Sequence, residues 1–165
     1  MLVTVQNKAE IFALGGVIMS SDCRTYLEIG ASCGGSALML AQLFSDKVVL
    51  VDLFEEKSAD HLRRAMDMMA DLYSAEIIGI KGDSRHPDTV EECANRGPYD
   101  VVMIDGGHQY ETVKSDYEKY GPMARKLLVF HDINQPGVRR LWNEIGGGLE
   151  ISDKASTMGY GVIFK

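Results

Sequence analysis

Five short apolar segments recur along the 165-residue chain, and each is followed within two residues by a glycine, acidic or histidine residue. They are predicted strands, expected over about residues 25–29, 47–51, 76–80, 99–104 and 126–130. Segments with helical periodicity fill the gaps between them, and such alternation is typical of a parallel sheet covered by helices on both faces. The pattern therefore predicts a doubly wound α/β fold built from five βα units.

The predicted helices have apolar residues at three- and four-residue spacing. They are expected over about residues 7–19, 34–44, 58–73, 87–95, 110–123 and 136–145. The last two apolar stretches, 149–152 and 159–164, leave no room for a helix between them, so they must pair antiparallel. We therefore expect a mostly parallel seven-stranded sheet with an antiparallel C-terminal hairpin. It would form a single domain over residues 1–165, with an N-terminal helical segment over residues 1–22.

The amino-acid composition limits the kinds of molecule that the chain is expected to bind. Acidic residues outnumber basic ones by 24 to 17, which gives a formal charge of −7 and argues against a nucleic-acid partner. No apolar run has membrane-spanning length, and residues 1–10 are too polar for a signal peptide. The three cysteines include no CxxC pair, so neither a disulfide framework nor a zinc knuckle is indicated. We expect a cytoplasmic protein.

A glycine-rich loop follows the first predicted strand, in the segment LEIGASCGGS at residues 27–36. Glycines such as Gly30 and Gly34 let the backbone approach a ligand closely, and the next helix would direct its N-terminal amides at that ligand. A dinucleotide fingerprint requires GxGxxG, but Ser32 stands at the second glycine position. The spacing ExGxxxG, which begins at Glu28, suits a ligand without phosphate. A plain tight turn is the alternative interpretation.

Carboxylates end the next two predicted strands. Asp52 stands where an acidic side chain can accept both hydroxyls of a ribose, a feature of NAD and S-adenosylmethionine alike. Asp83, with Ser84 beside it, could accept a hydrogen bond from an adenine amino group. The alternatives are a solvated turn residue for Asp52 and a cap of the following helix for Asp83 or Ser84.

The fourth and fifth predicted strands end in Asp105 and in the pair His131 and Asp132. Two carboxylates and an imidazole on neighbouring strands would suit a divalent ion such as Mg²⁺. His108 is the candidate general base, since imidazole accepts protons near neutral pH. Alternatively, Asp132 caps the loop before the last helix, and His131 is a buried, hydrogen-bonded histidine.

Three segments together resemble a known family. The glycine loop is similar to the cofactor loop of class I S-adenosylmethionine-dependent methyltransferases. The stretches YDVVMIDGGHQY (99–110), LLVFHDI (127–133) and GVRRLWNEI (137–145) resemble one small-molecule O-methyltransferase branch. That branch groups cephalosporin hydroxylase-like and macrocin O-methyltransferase proteins. The resemblance covers nearly the whole chain from residue 25 to residue 164.

The resemblance implies a role for each matching residue. Gly30, Ser32 and Gly34 would contact the methionine part of S-adenosylmethionine, Asp52 its ribose, and Asp83 and Ser84 its adenine. The full set of expected cofactor-binding residues is Glu28, Gly30, Ala31, Ser32, Gly34, Ser36, Asp52, Leu53, Asp83, Ser84 and Asp105. The implied magnesium ligands are Asp105, His131 and Asp132, and the catalytic residues would be His108, as the base, and Asp105.

We therefore expect an S-adenosylmethionine-dependent methyltransferase that carries out metal-assisted O-methylation of a small molecule. An NAD(P)-dependent oxidoreductase, a non-catalytic S-adenosylmethionine-binding module and a metal-dependent hydrolase are the alternatives. His131 departs from many relatives, which have a carboxylate there. The short segment before the first strand leaves three options for the substrate site: an open site, a homodimer whose partner covers it, or a large substrate.

Overall fold

A single sheet of seven strands forms the centre of the protein in the computed structural model, which describes residues 7–153 and 156–165, without the side chains of residues 56 and 57. The strands are β1 (Thr25–Ile29), β2 (Lys47–Asp52), β3 (Glu76–Lys81), β4 (Tyr99–Ile104), β5 (Ala124–His131), β6 (Leu149–Ile151) and β7 (Tyr160–Phe164). Their spatial order is β3-β2-β1-β4-β5-β7-β6. β1 to β5 are parallel, and β7 runs antiparallel to both β5 and β6. The predicted fold class is confirmed.

In the part of the chain that the structure describes, six α-helices connect and cover the strands. They are α1 (Lys8–Ser20), α2 (Gly35–Leu40), α3 (Glu56–Leu72), α4 (Pro87–Arg96), α5 (Tyr110–Tyr120) and α6 (Pro136–Glu144). The predicted helices over 34–44 and 110–123 are shorter than expected, because each ends in a 3₁₀ turn, at Ala41–Leu43 and Gly121–Met123. Pro122 explains the second change, since it has no N–H for a continuing α-helix.

The central strands of the sheet are buried on both faces, whereas the edge strands β3 and β6 are only partly buried. All six residues of β4 are buried, as its continuous apolar sequence predicts for a central parallel strand. One core lies between the sheet and α1, α2 and α3, and includes Leu14 and Leu62. The other lies against α4, α5 and α6, and includes Cys93 and Trp142. The two layers leave the carboxyl ends of β1 to β5 free along one edge of the sheet.

Helix α1 ties the C-terminal loop to the rest of the fold. Asn7 caps the helix by accepting hydrogen bonds from the N–H groups of Ala9 and Glu10. The buried Glu10 carboxylate accepts hydrogen bonds from the N–H groups of Asp153 and Gly159 at 2.8 and 3.3 Å. Asp153 and Gly159, at the two ends of the connection between β6 and β7, are therefore held against α1. Of the predicted N-terminal helical segment, residues 1–6 lie outside the described residues.

None of the helices described is both long enough and apolar enough to cross a membrane.

Candidate functional site

A cleft of about 390 Å³ opens at the carboxyl ends of β1 to β4. Seven of the expected cofactor-binding residues line it: Gly30, Ser32, Asp52, Leu53, Asp83, Ser84 and Asp105. The cleft lies where open α/β sheets bind their ligands, at the point where the strand order reverses between β1 and β4. The topology thus brings together residues from four separate strand ends.

The glycine loop lies close against the end of β4. Gly30 has a φ angle of +90°, and a Cβ atom there would collide with the carbonyl oxygen of Asp105. Only glycine satisfies both conditions. Two residues later the backbone N–H of Ser32 donates a hydrogen bond of 2.8 Å to the Asp52 carboxylate. The other Asp52 oxygen accepts from the N–H of Phe54 at 2.9 Å, so Asp52 fixes the loop and itself faces the cleft.

Glu28 lies beneath the glycine loop. It is fully buried, and its two carboxylate oxygens contact the hydroxyl groups of Ser36 at 2.5 Å and Tyr26 at 2.9 Å. Burial, followed by the nearby charge of Asp105, raises the pKa of Glu28 to about 8. Glu28 and Ser36 therefore join the strand to the start of α2 below the cleft, rather than lining it.

Two further loop residues also lie away from the cleft lining. Ala31 is buried. Gly34 has a φ angle of +74° and packs against α3, where an added Cβ would come within 2.8 Å of the Ala65 Cβ. Contacts of Gly34 with the methionine part of a cofactor stay a prediction, and the structure gives this glycine a packing role.

The loop that follows β3 contains an arginine that the sequence did not single out. The Arg85 guanidinium forms an ion pair with Asp83, 2.7 Å apart, and hydrogen bonds from the side chain and N–H of Arg85 lower the pKa of Asp83 to about 2. Both residues line the cleft. The Tyr120 hydroxyl donates a hydrogen bond of 2.7 Å to the Ser84 carbonyl and so braces this loop against α5.

Two carboxylates and two imidazoles meet where β4 and β5 end. His131 Nδ1 lies 2.7 Å from Asp105 Oδ1 and 3.3 Å from Asp132 Oδ2. His108 Nε2 lies 2.8 Å from the same Asp132 oxygen. His131 is buried, whereas the side chain of His108 is 48% exposed. We call these four residues the Asp–His cluster, and Asp105 connects it to the cleft.

A local bend explains how consecutive residues reach one site. Neighbouring side chains of a strand point to opposite faces, so His131 and Asp132 would diverge if β5 continued. Asp132 instead adopts a left-handed conformation with a φ angle of +56°, which aspartate tolerates better than most residues. Its carbonyl then accepts a hydrogen bond from the N–H of Gln135 at 2.8 Å, and both side chains face Asp105.

Charge pairing dominates the electrostatics of the Asp–His cluster. Burial disfavours a charged His131, but hydrogen bonds with Asp105 and Asp132 outweigh it and raise the pKa of His131 to about 10. The hydrogen bond with Asp132 likewise raises the pKa of His108. Burial opposes the charge of Asp132, yet hydrogen bonds from His108 and His131 hold its pKa well below the usual range. The negative charges of the carboxylates and the positive charges of the imidazoles therefore offset each other.

Two residues to which the sequence assigned no role in the site support the cluster. The ring of Tyr160, on β7, packs on His131 with their centroids 4.6 Å apart. Gly137, in the first turn of α6, touches the loop that carries His108, and an added Cβ would come within 2.6 Å of the Tyr110 N atom. Neither residue has a signal of its own in the sequence, because strand pairing and helix packing bring them to the site.

The cluster also has the geometry of a cation site. One ligand atom each from Asp105, His131 and Asp132 can be chosen so that all three lie within 4.8 Å of one another. The Nε2 atom of His131 is buried and has no hydrogen-bond partner among the described residues. Once an ion displaces the proton that the raised pKa of His131 retains, the donors are two oxygens and one nitrogen, a set that suits divalent ions accepting both.

Comparison with known proteins places the sequence in a family. Residues 27–133, more than half of the chain, match the profile described as a methyltransferase domain. That segment begins in β1 and contains the whole glycine loop and all four cluster residues. No curated protein matches the sequence.

Solved structures share the fold at low identity. An O-methyltransferase from Bacillus cereus, in complex with S-adenosylhomocysteine, is 20% identical with a TM-score of 0.72, over 98% of this chain and 82% of that one. The O-methyltransferase TomG from Streptomyces achromogenes, in complex with S-adenosylmethionine, is 15% identical with a TM-score of 0.71, over 98% and 80%. An rRNA methylase from Streptococcus thermophilus is 13% identical with a TM-score of 0.68, over 99% of each chain.

Proposed function

The chain belongs to the methyltransferase domain family, and from this premise we propose that it transfers the methyl group of S-adenosylmethionine to an oxygen atom of a small molecule. One observation carries the proposal: Asp105 both lines the cleft and contacts His131 of the Asp–His cluster. A ligand in the cleft would therefore extend to a group of acids and imidazoles able to handle a hydroxyl proton.

The cofactor would bind along the four strand ends. Asp52 would accept the ribose hydroxyls, because its carboxylate is already held in place by the N–H groups of Ser32 and Phe54. Asp83 and Ser84 would flank the adenine. The methionine part would pass over Gly30, where the missing side chain leaves the backbone open to a ligand. Glu28 and Ser36 would support this loop from below.

The acceptor would lie on the cluster side of the cleft. Its oxygen attacks the methyl carbon, the bond from that carbon to sulfur breaks, and the electron pair stays on sulfur to give S-adenosylhomocysteine. The acceptor hydroxyl loses its proton to His108, whose Nε2 atom is engaged by Asp132, leaving Nδ1 as the accepting atom. Holding oxygen, carbon and sulfur in line is the main catalytic task for so reactive a methyl donor.

A divalent cation fits this proposal, and Asp105, His131 and Asp132 would hold it. Mg²⁺ is the proposed ion, and the imidazole donor would also admit Mn²⁺. When bound, such an ion orients substrate oxygens and makes a hydroxyl more acidic. Asp132 can bind the ion and contact His108 at the same time, because a carboxylate has two oxygens and His108 contacts only Oδ2.

The acceptor is proposed to be a small molecule rather than a nucleic acid. The formal charge of −7 would repel a phosphate backbone. A hydroxyl-bearing molecule would instead meet carboxylates, which accept hydrogen bonds from hydroxyl groups.

Methyl transfer can be measured with S-adenosylmethionine labelled in its methyl group and a panel of phenols, sugars and glycosides. We expect label in an acid-stable ether of at least one acceptor, and stoichiometric S-adenosylhomocysteine. Replacement of Asp52 by Ala, in the cleft, should abolish both signals. Replacement of Asp46 by Ala, an exposed residue at the opposite end of β2, should leave both unchanged. Cofactor binding without label in any acceptor, in the presence of Mg²⁺ or Mn²⁺, would contradict the proposal and favour a non-catalytic binding module.

A further inference from the structure

The outward side of helix α1 is apolar. The helix turns Ile11, Leu14 and Ile18 into the core, yet Phe12 and Met19 on the other side are 70% and 71% exposed. Surface helices normally place polar residues on the face away from the core. Contiguous apolar surface of this kind marks an interaction site.

We infer that this face is the interface of a homodimer in which two copies of α1 pack antiparallel. The face alternates small and large side chains in the order Ala9, Phe12, Gly16, Met19. In an antiparallel pair related by a twofold axis, a residue before the midpoint of one helix faces the residue at the same distance after the midpoint of the other helix. With Leu14 as the midpoint, Phe12 meets the partner's Gly16, and Met19 meets the partner's Ala9. One register therefore matches both large residues with small ones.

The surface beside the glycines can receive an aromatic ring. Gly15 and Gly16 border a groove of about 270 Å³ whose other side includes Met39 and Leu43. A Cβ atom at Gly16 would have nothing within 4 Å, so this part of α1 is open. Phe12 of the partner subunit would fill the groove, and the twofold axis would repeat the contact on the other copy.

Charges at the two ends of the helix fit the same antiparallel register. Lys8 is exposed at the N-terminal end, and Asp22 is exposed just past the C-terminal end. Within 7–153 and 156–165, neither side chain forms an ion pair. The register places Lys8 opposite the partner's Ser20, near the partner's Asp22 and the negative end of its helix dipole. A parallel pair would instead bring two lysines together.

This charge distribution favours a second copy of the chain over a lipid surface. Helices that lie on membranes have several basic residues beside the apolar face, whereas Lys8 is the only basic residue of α1. A face that is neutral at its centre and oppositely charged at its ends is complementary to itself.

Sedimentation velocity over a range of protein concentrations tests the inference. The wild-type chain should form a dimer. The variants Gly16→Leu, which fills the groove, and Phe12→Glu, which charges the inserted residue, should raise the dissociation constant ~100-fold or more. Leu72→Glu, at a residue that is 63% exposed on α3, is the matched control and should leave the dimer unchanged. Circular dichroism verifies that every variant is folded.

A charge exchange tests the antiparallel register separately. Lys8→Glu should weaken the dimer by repelling the partner's Asp22, and the double variant Lys8→Glu with Asp22→Lys should restore it. A monomeric wild-type chain at all concentrations would overturn the inference, as would folded Gly16→Leu and Phe12→Glu variants that dimerise like the wild type. Binding of a monomer to vesicles of anionic lipid through Phe12 would also overturn it. None of these outcomes depends on methyl transfer, so the dimer can fail without affecting the proposed function.

Discussion

His108 Nε2 lies 2.8 Å from Asp132 Oδ2, although one residue follows β4 and the other follows β5. The contact fixes one ring nitrogen of a half-exposed imidazole against a nearly buried carboxylate. The ring is thereby oriented while about half of its side chain stays exposed. This pairing is what a general base requires: a fixed direction, a lone pair on the other nitrogen and a partner that stabilises the protonated form.

Replacement of His108 by Ala should lower the turnover number by about 10²-fold to 10⁴-fold, the usual contribution of a general base. The affinity for S-adenosylhomocysteine should stay unchanged, since His108 lies beyond the residues proposed to hold the cofactor. Steady-state kinetics and calorimetric titration separate the two effects. His86→Asn is the matched control, because Asn can still cap α4 and His86, the cap residue of that helix, is not part of the Asp–His cluster. Normal turnover in the His108→Ala variant would refute the role of the base.

Gly137→Ala should displace the loop that carries His108. The added Cβ would come within 2.6 Å of the Tyr110 N atom, so α6 and the loop must move apart. We expect a loss of about 1–3 kcal/mol in unfolding free energy from this overpacking and a turnover about 10-fold lower, with cofactor affinity kept. Gly146→Ala, where an added Cβ has open space but φ is +88°, controls for backbone strain alone. Equal turnover in the two variants would show that Gly137 does not position His108.

The raised pKa of Glu28 predicts that the stability of the protein depends on pH. Its pKa is about 8 in the folded protein against an ordinary value of 4.5, so between these values the native state keeps a proton that the unfolded chain has released. The free energy of unfolding therefore falls as the pH rises from the pKa of the unfolded chain to that of the folded protein. It falls by at most about 1.4 kcal/mol per pH unit. Glu28→Gln, which cannot ionise, should remove this loss.

Denaturant unfolding at about pH 5 and about pH 8.5 measures the effect of Glu28. The wild type should lose more stability between these conditions than Glu28→Gln does. Glu76→Gln, at an exposed residue of β3, should behave like the wild type. Parallel pH profiles for the wild type and Glu28→Gln would mean that burial does not keep Glu28 protonated.

Divalent ions should bind at the Asp–His cluster and stabilise the protein. After treatment with a chelator, addition of Mg²⁺ or Mn²⁺ should raise the melting temperature, because an ion that binds only the folded state stabilises it. The shift should vanish in Asp105→Asn and persist in Asp83→Asn, since Asp83 belongs to the cleft but not to the cluster. An equal shift in both variants would place the ion elsewhere.

The sequence predicted the fold well because each strand has its own local signal. The apolar run of β4 indicated a central strand, and the short spacing before β7 required an antiparallel end. Helix ends were harder to predict, since Pro122 converts the last turn of α5 into a 3₁₀ turn by removing an N–H group. Such changes depend on single backbone hydrogen bonds that periodicity does not reveal.

Within the site, the sequence indicated the residues at strand ends but not their supports. Asp105 and Asp132 follow strands directly, so the topology alone brings them together. Tyr160 and Gly137 reach the cluster through the pairing of β7 with β5 and through the packing of α6. The placement of Gly34 against α3 also depends on tertiary packing, and a glycine-rich loop looks the same whether its glycines face a ligand or a helix.

A thermal-shift titration with S-adenosylhomocysteine and with NADH tests whether the cleft binds S-adenosylmethionine. S-adenosylhomocysteine should raise the melting temperature of the wild type in a saturable manner, NADH should not, and Asp52→Ala should abolish the shift. Stabilisation by NADH alone, or no shift with S-adenosylhomocysteine, would show that the cleft is not a site for S-adenosylmethionine.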